Sequence, residues 1–288
     1  MIFLIFSIIC SVTVGVLLKL AKRYEINVMQ AVTWNYFFAI CLSTFFFKPD
    51  FSAINLEVIS PIYIILGILL PIIFIIQAIA VKQAGLARTD IAQRLSLFLS
   101  LCAAYFLFNE DFDRLKYVGI IFGFAAIILT MYRKNSGVSS KNSWLYLLLV
   151  FAGFGIIDIL FKLVSQITAL PYTTSLFLIF CISFLLSLGY ILYLAITKKT
   201  KLQLINCLCG CILGLFNFGN ILFYLKAHRA MADNPSTVFA AMNMGVIIIG
   251  SFIGIVVFKE KLSKWNYAGL VCAIVAIVLI TLSKLHAV

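Results

Sequence analysis

Pro61-Ile-Tyr-Ile-Ile-Leu-Gly-Ile-Leu-Leu-Pro-Ile-Ile-Phe-Ile-Ile-Gln-Ala-Ile-Ala-Val81 runs for twenty-one positions without a charged residue. As an α-helix it would be about 32 Å long, enough to cross a hydrocarbon core of ~30 Å. Inside lipid every backbone N–H and C=O must be satisfied within the structure, which leaves a helix or a closed barrel. Barrel strands alternate polar and apolar side chains, and this run does not. It reads as a transmembrane helix. Pro71 lies within it after Gly67, lacks an N–H, and is expected to kink the helix and free a carbonyl one turn back.

Comparable runs fill the rest of the chain. Ten spans are expected, near 2–21, 28–47, 59–82, 89–108, 115–132, 144–164, 173–196, 203–226, 235–258 and 265–283. Lys48-Pro49-Asp50, Ser60-Pro61, Leu170-Pro171 and Asn234-Pro235 fall at the gaps, and Trp144 and Trp265 open spans six and ten, where indoles favour the membrane interface. The composition agrees: 64% of 288 residues are hydrophobic, 11% are charged, and the mean hydropathy is +1.14. A soluble domain carries about a quarter charged residues. The fold class is an all-α membrane protein. The first run lacks a basic leader and a small-residue cleavage site, so it reads as a permanent helix.

The formal charge of +12 does not signal nucleic acid, because the basic residues stand singly or in pairs between apolar runs. Assigned to alternate loops, thirteen Lys and Arg fall on one side and six on the other. The positive-inside rule then puts both termini outside. The eight cysteines all lie in apolar runs. Cys207, Cys209 and Cys211 form the tightest group, but on a helix Cys209 points away from the other two. They read as packing side chains, with no metal site and no cofactor.

The polar stretch Arg133-Lys-Asn-Ser-Gly-Val-Ser-Ser-Lys-Asn-Ser143 divides the chain into residues 1–133, a linker at 134–143, and residues 144–288. The two parts resemble each other. At an offset of 150, Phe108, Glu110, Tyr117 and Gly119 match Phe258, Glu260, Tyr267 and Gly269. At 143, Lys19-Leu20 matches Lys162-Leu163, and Gly67 and Gln77 face Gly210 and Asn220; at 140, Cys41 and Ser43 match Cys181 and Ser183. Five spans per half is an odd number, so the second half enters the membrane inverted. An inverted repeat puts its pseudo-two-fold axis in the membrane plane and a solute site near the midplane, the design of an alternating-access transporter.

Two segments carry a family resemblance. Phe108-Asn-Glu110 with Tyr117-Val-Gly119, and Asn234-Pro-Ser-Thr-Val-Phe-Ala-Ala-Met-Asn243 running to Phe258-Lys-Glu260-Lys-Leu262, resemble the drug/metabolite transporter superfamily, particularly its EamA-type ten-helix members. The resemblance implies transport of small organic solutes, often export of amino acids, nucleobases or other metabolites, across the inner or plasma membrane. It implies a cavity ringed by spans one, three, four, six, eight and nine. It also implies cytoplasmic termini, against the charge count. One departure matters: the small multidrug members use a glutamate in their first helix for proton coupling, and the first span here has no acid. The coupling ion stays open between a proton and none.

Charges inside spans are few, and each costs roughly 2.5–3.5 kcal/mol at mid-bilayer. Asp158 lies about 21 Å along the sixth span from Trp144. Lys162 follows at i+4, where an ion pair within the helix is within reach. The pair either neutralises itself for insertion or lines the solute path. Lys19 either snorkels to the headgroups or joins the path. Asp90 and Arg94, also at i+4, suit a structural ion pair at a cavity mouth, with Arg94 open to solute contact. Gln77, Asn217, Asn220 and Asn243 are amides within spans that either bond neighbouring helices or line the path. Glu110 and Glu260 sit at span ends and suit a structural role in the turns.

The function expected is secondary transport, most simply export of a small metabolite. The alternatives are an importer or exchanger of anionic or sugar-linked solutes, suited to Lys19, Arg94 and Lys162, and a non-transporting scaffold. An enzyme is not expected: the histidines are His228, read as lying in a loop, and His286 at the tail, and no nucleophile motif accompanies them. The partners expected are the solute and the lipid bilayer, with a homo-oligomer left open.

Overall fold

The computed structural model describes residues 2–24, 26–49, 60–84, 86–130, 143–197, 202–257, 259 and 263–286. Glu260, Phe258 and nearly all of the linker lie outside these, as do the side chains of Lys19 and Asp90. The described residues form helices joined by short connections, with no strand among them. The helices are α1 (Ile2–Arg23), α2 (Val28–Phe47), α3 (Pro61–Ala84), α4 (Leu86–Leu95), α5 (Leu97–Phe106), α6 (Arg114–Thr130), α7 (Ser143–Gln166), α8 (Tyr172–Ile196), α9 (Leu204–Ala230), α10 (Pro235–Val256) and α11 (Lys264–His286). Seven of them, α2, α3 and α7 to α11, are long and apolar enough to cross a membrane. The apolar part of α1, Ile2–Leu17, is shorter. This is a multi-pass membrane protein.

The ends follow from local chemistry. Asn27 caps α2 by accepting from the Met29 and Gln30 N–H groups. Pro235 opens α10 at a position where a missing N–H costs nothing. Trp144 and Trp265 stand exposed at the starts of α7 and α11.

The expected fourth span, 89–108, is corrected to two helices meeting at Ser96. The Ser96 hydroxyl bonds back to the Gln93 carbonyl at 2.5 Å. The Ser96 carbonyl accepts from both the Leu99 and Ser100 N–H groups, at 2.9 and 3.3 Å. Back-bonding serines and a shared i−3/i−4 acceptor tighten and bend a helix without stopping the chain. Pro71 does not end α3. The carbonyl it frees, on Gly67, accepts the Ser183 hydroxyl of α8 at 2.9 Å.

Helices from the two parts of the chain interleave. α1 packs on α9 and α10, while α7 packs on α3, α4 and α5. α2 packs on α9 as α8 packs on α3, and α6 lies along α11, α2 along α8 and α5 along α10. Small residues set the closest approach: a Cβ at Gly210 would lie 2.5 Å from the Ala31 carbonyl oxygen, and one at Gly214 2.7 Å from that of Asn35. This four-residue spacing puts both glycines of α9 on the face that meets α2.

Candidate functional site

α9 carries a polar stripe along one face, Asn217, Asn220, Tyr224 and His228, at the three- and four-residue spacing of a helix. Around it stand Asp158 and Lys162 of α7, Ser100 of α5, Ser7 of α1, and Thr237 and Asn243 of α10. At the centre is Asp158. Its Oδ1 accepts the Tyr224 hydroxyl at 3.1 Å, and its Oδ2 accepts the Ser100 hydroxyl at 3.3 Å. One donor comes from each part of the chain. Asp158 keeps some accessible surface although helices pack around it.

The ion pair expected between Asp158 and Lys162 is not formed. Lys162 is fully buried, its Nζ donates to the Ala232 carbonyl at 2.6 Å, and it lies 5.7 Å from the Phe108 ring centroid. The long stem reaches the α9–α10 turn, where a carbonyl lacks a helical donor, while two hydroxyls satisfy the carboxylate. His228 is corrected from loop to helix, because α9 runs to Ala230. It is fully buried, with its ring 4.6 Å from that of Tyr224 and 4.9 Å from that of Phe239. Among the described residues neither ring nitrogen has a hydrogen-bond partner, and neither does the buried Thr237 hydroxyl.

The amides divide. Gln77 donates to Gln93 at 2.9 Å, tying α3 to α4 beside the break at Ser96. Asn220 accepts the Ser7 hydroxyl at 2.8 Å, and that hydroxyl also lies 3.6 Å from the Met242 sulfur. Asn243 donates to Phe239 O within its own helix at 3.0 Å. Asn217 is buried on α9. Arg94 lies half-buried in the last turn of α4. Whether Asp90 pairs with it falls outside the described side chains, as does the position of Lys19.

Glu110, in the α5–α6 connection, makes a buried clasp. Its carboxylate pairs with Lys116 Nζ at 2.8 Å and accepts the Ser236 N–H at 2.8 Å and its hydroxyl at 2.6 Å. The anion thus sits at the N-terminus of α10, where unpaired N–H groups favour negative charge. The helix-end motif ties the end of α5 to the start of α10.

Tyr224, Ser100 and Ser7 did not enter the sequence reading, His228 entered it only as a loop residue, and Ser236 only as part of the family motif. The stripe on α9 was visible in the spacing of residues 217 to 228. The hydroxyl donors carried no signal of their own. Away from this column, an apolar cleft of about 530 Å³ lies between α1, α2 and α9, lined by Leu17, Leu20, Ile205, Cys209 and Ile212 among others.

The EamA-like transporter family model matches residues 1–132. A Haemophilus influenzae protein, described as an uncharacterized protein, is 42% identical over 282 residues, covering 95% of each chain. A crystal structure of a protein 13% identical in sequence superposes with a TM-score of 0.74 over 98% of this chain and 96% of that one. Likeness at that identity speaks for the fold alone. With the apolar helices, the family match supports a membrane transporter, and residues 1–132 are those of an EamA-like transporter, of the drug/metabolite transporter superfamily.

Proposed function

We propose that the protein is a secondary transporter of the cell's inner or plasma membrane that exports small organic metabolites, amino-acid-like or nucleobase-like, by alternating access. The observation that carries this reading is Asp158, held deep among helices by one hydroxyl from α5 and one from α9. A charge inside a membrane protein faces its interior path. This one is bridged to both parts of the chain, so movement of one part against the other remakes its surroundings.

Residues 1–133 and 144–288 act, on this reading, as two inverted halves joined by the linker. The reciprocal packing supports it: α1 on α9 and α10 answers α7 on α3, α4 and α5, while α6–α11, α2–α8 and α5–α10 pair across the implied axis. In such an arrangement the site near the axis opens to one side and then the other.

Untargeted metabolite profiling of cells with and without the gene, inside and outside, tests the function. The expected result is a solute that accumulates inside when the gene is absent and outside when it is overexpressed. An unchanged profile on both sides would reject export.

A further inference from the structure

We infer that Asp158 is a proton-binding site whose protonation loosens α5 from α7 and so couples proton movement to transport. The coupling rests on the transport reading; the proton site does not.

A carboxylate taken out of water has to be paired, hydrogen-bonded or neutralised by a proton. Its partners here are two neutral hydroxyls, and no charged group among the described residues contacts it. Lys162, one turn along α7, is drawn away to the Ala232 carbonyl and faces Glu110 and Asp233 instead. From α9 the titratable groups are Tyr224 and His228, and His228 lies near Lys162. α3 and α4 bring the mutually bonded Gln77 and Gln93, and α4 also carries Arg94. α5 brings Ser100, and α8 brings Tyr172, which lies under Arg229. Lys162, the cation within reach on the same helix, is occupied elsewhere, and no other cation among the described residues contacts Asp158, which leaves that role to a proton.

Protonation has a mechanical consequence. The carboxylate becomes a carboxylic acid, gaining one O–H donor and losing acceptor capacity. The Ser100 hydroxyl has a second acceptor waiting, the Ser96 carbonyl at 3.5 Å, at the break between α4 and α5. On protonation both bonds lose the charge that strengthened them, the hydroxyl at the protonated oxygen turns from donor to acceptor, and the Ser96 carbonyl competes for the Ser100 O–H, so the tie between α5 and α7 weakens. His228 stands one turn beyond Tyr224, with neither ring nitrogen hydrogen-bonded among the described residues.

Difference infrared spectroscopy on the full-length protein in liposomes, taken while pH is lowered, reads the site without any solute. A carboxylic C=O band should appear as pH falls and be missing in Asp158→Asn. Tyr224→Phe, which leaves the carboxyl in place, should keep the band and change its pH midpoint. A band that persists in Asp158→Asn, or none in the wild type down to acid unfolding, overturns the proton site. A second measurement follows internal pH in proteoliposomes supplied with amino acids and nucleobases one at a time. Solute-dependent proton movement should appear in the wild type and fall to the protein-free level in Asp158→Asn. Solute flux with no accompanying proton movement overturns the coupling and leaves transport standing, whereas failure of every solute to move counts against the transport reading and leaves the infrared result to decide the proton site.

Discussion

Replacing Glu110 with alanine removes three contacts at once: the pair with Lys116 at 2.8 Å and the two bonds from Ser236 at 2.8 and 2.6 Å. Both charged residues are nearly inaccessible, Glu110 at 5% and Lys116 at 3% exposure. An exposed pair would matter little, by about 0–1 kcal/mol. Here the variant leaves a buried ammonium with only the Asp111 carbonyl at 3.4 Å and two donors of α10 without an acceptor, and breaking a buried pair from one side costs roughly 3–5 kcal/mol. For a chain of this size, at about 2 °C per kcal/mol or somewhat more, the melting temperature in detergent should fall by about 6–10 °C. Glu110→Ala combined with Lys116→Met leaves no stranded charge and should recover part of that loss, with the Ser236 donors still unmet. Thermal unfolding of the wild type, both single variants and the double variant closes the cycle. A Glu110→Ala protein melting within a degree of wild type would refute the clasp, and a double variant less stable than Glu110→Ala would refute the stranded-charge reasoning.

Three further outcomes follow from local geometry. Gly214→Leu should yield little monodisperse protein on size-exclusion chromatography, because even a Cβ would meet the Asn35 carbonyl oxygen at 2.7 Å, whereas Gly189→Ala, with nothing within 4 Å, should behave as wild type. Replacing Cys207, Cys209 and Cys211 together with alanine or serine should leave solute flux within about twofold of wild type, since these half-buried thiols are packing groups. Asp113, outside the spans, has its carboxyl held below the usual range, first by the Ser283 hydroxyl at the end of α11, which burial opposes, and then by the Lys116 N–H and charge. A depressed folded-state value means its contribution is present above the ordinary carboxylate range and is lost as pH falls through the folded value. The melting difference between wild type and Ser283→Ala should therefore shrink on strong acidification, and a difference constant with pH would argue against the contact.

Much of this architecture could be read from the chain because a lipid solvent leaves few choices. Runs such as 61–81 must be helices, and Pro71 must free a carbonyl. Which donor takes that carbonyl was not legible: Ser183 is 116 residues away in sequence and nothing nearby marks it. The break at Ser96 escaped for a similar reason, since a serine in an apolar run gives no sign of whether its hydroxyl will turn back on its own helix. Asp158 stood out as a deep acid, but helical spacing says only that Lys162 is within reach. The choice was made by competitors distant in sequence, Tyr224 for the acid and Ala232 for the base. His228 was misplaced because the neighbouring Lys226 and Arg229 look like the edge of a membrane segment. In the fold Arg229 donates to the Ser165 carbonyl and lies over the Tyr172 ring, and α9 continues beneath it.

The central claim is that the Asp158 column between the two parts of the chain is the solute path. Its most direct test is flux through purified protein in proteoliposomes loaded with the small-molecule fraction of a cell extract. Release is read by mass spectrometry for the wild type, for Asp158→Asn and for Asp158→Asn with Lys162→Met. Asp158→Asn strands no charge, because Lys162 bonds to the Ala232 carbonyl and not to Asp158, and the double variant gives up that bond as well, so the melting temperature of each variant is read alongside its flux. The account predicts a discrete set of solutes released by the wild type and retained by both variants despite their being folded. Release of those solutes at wild-type rate by a folded double variant would contradict it.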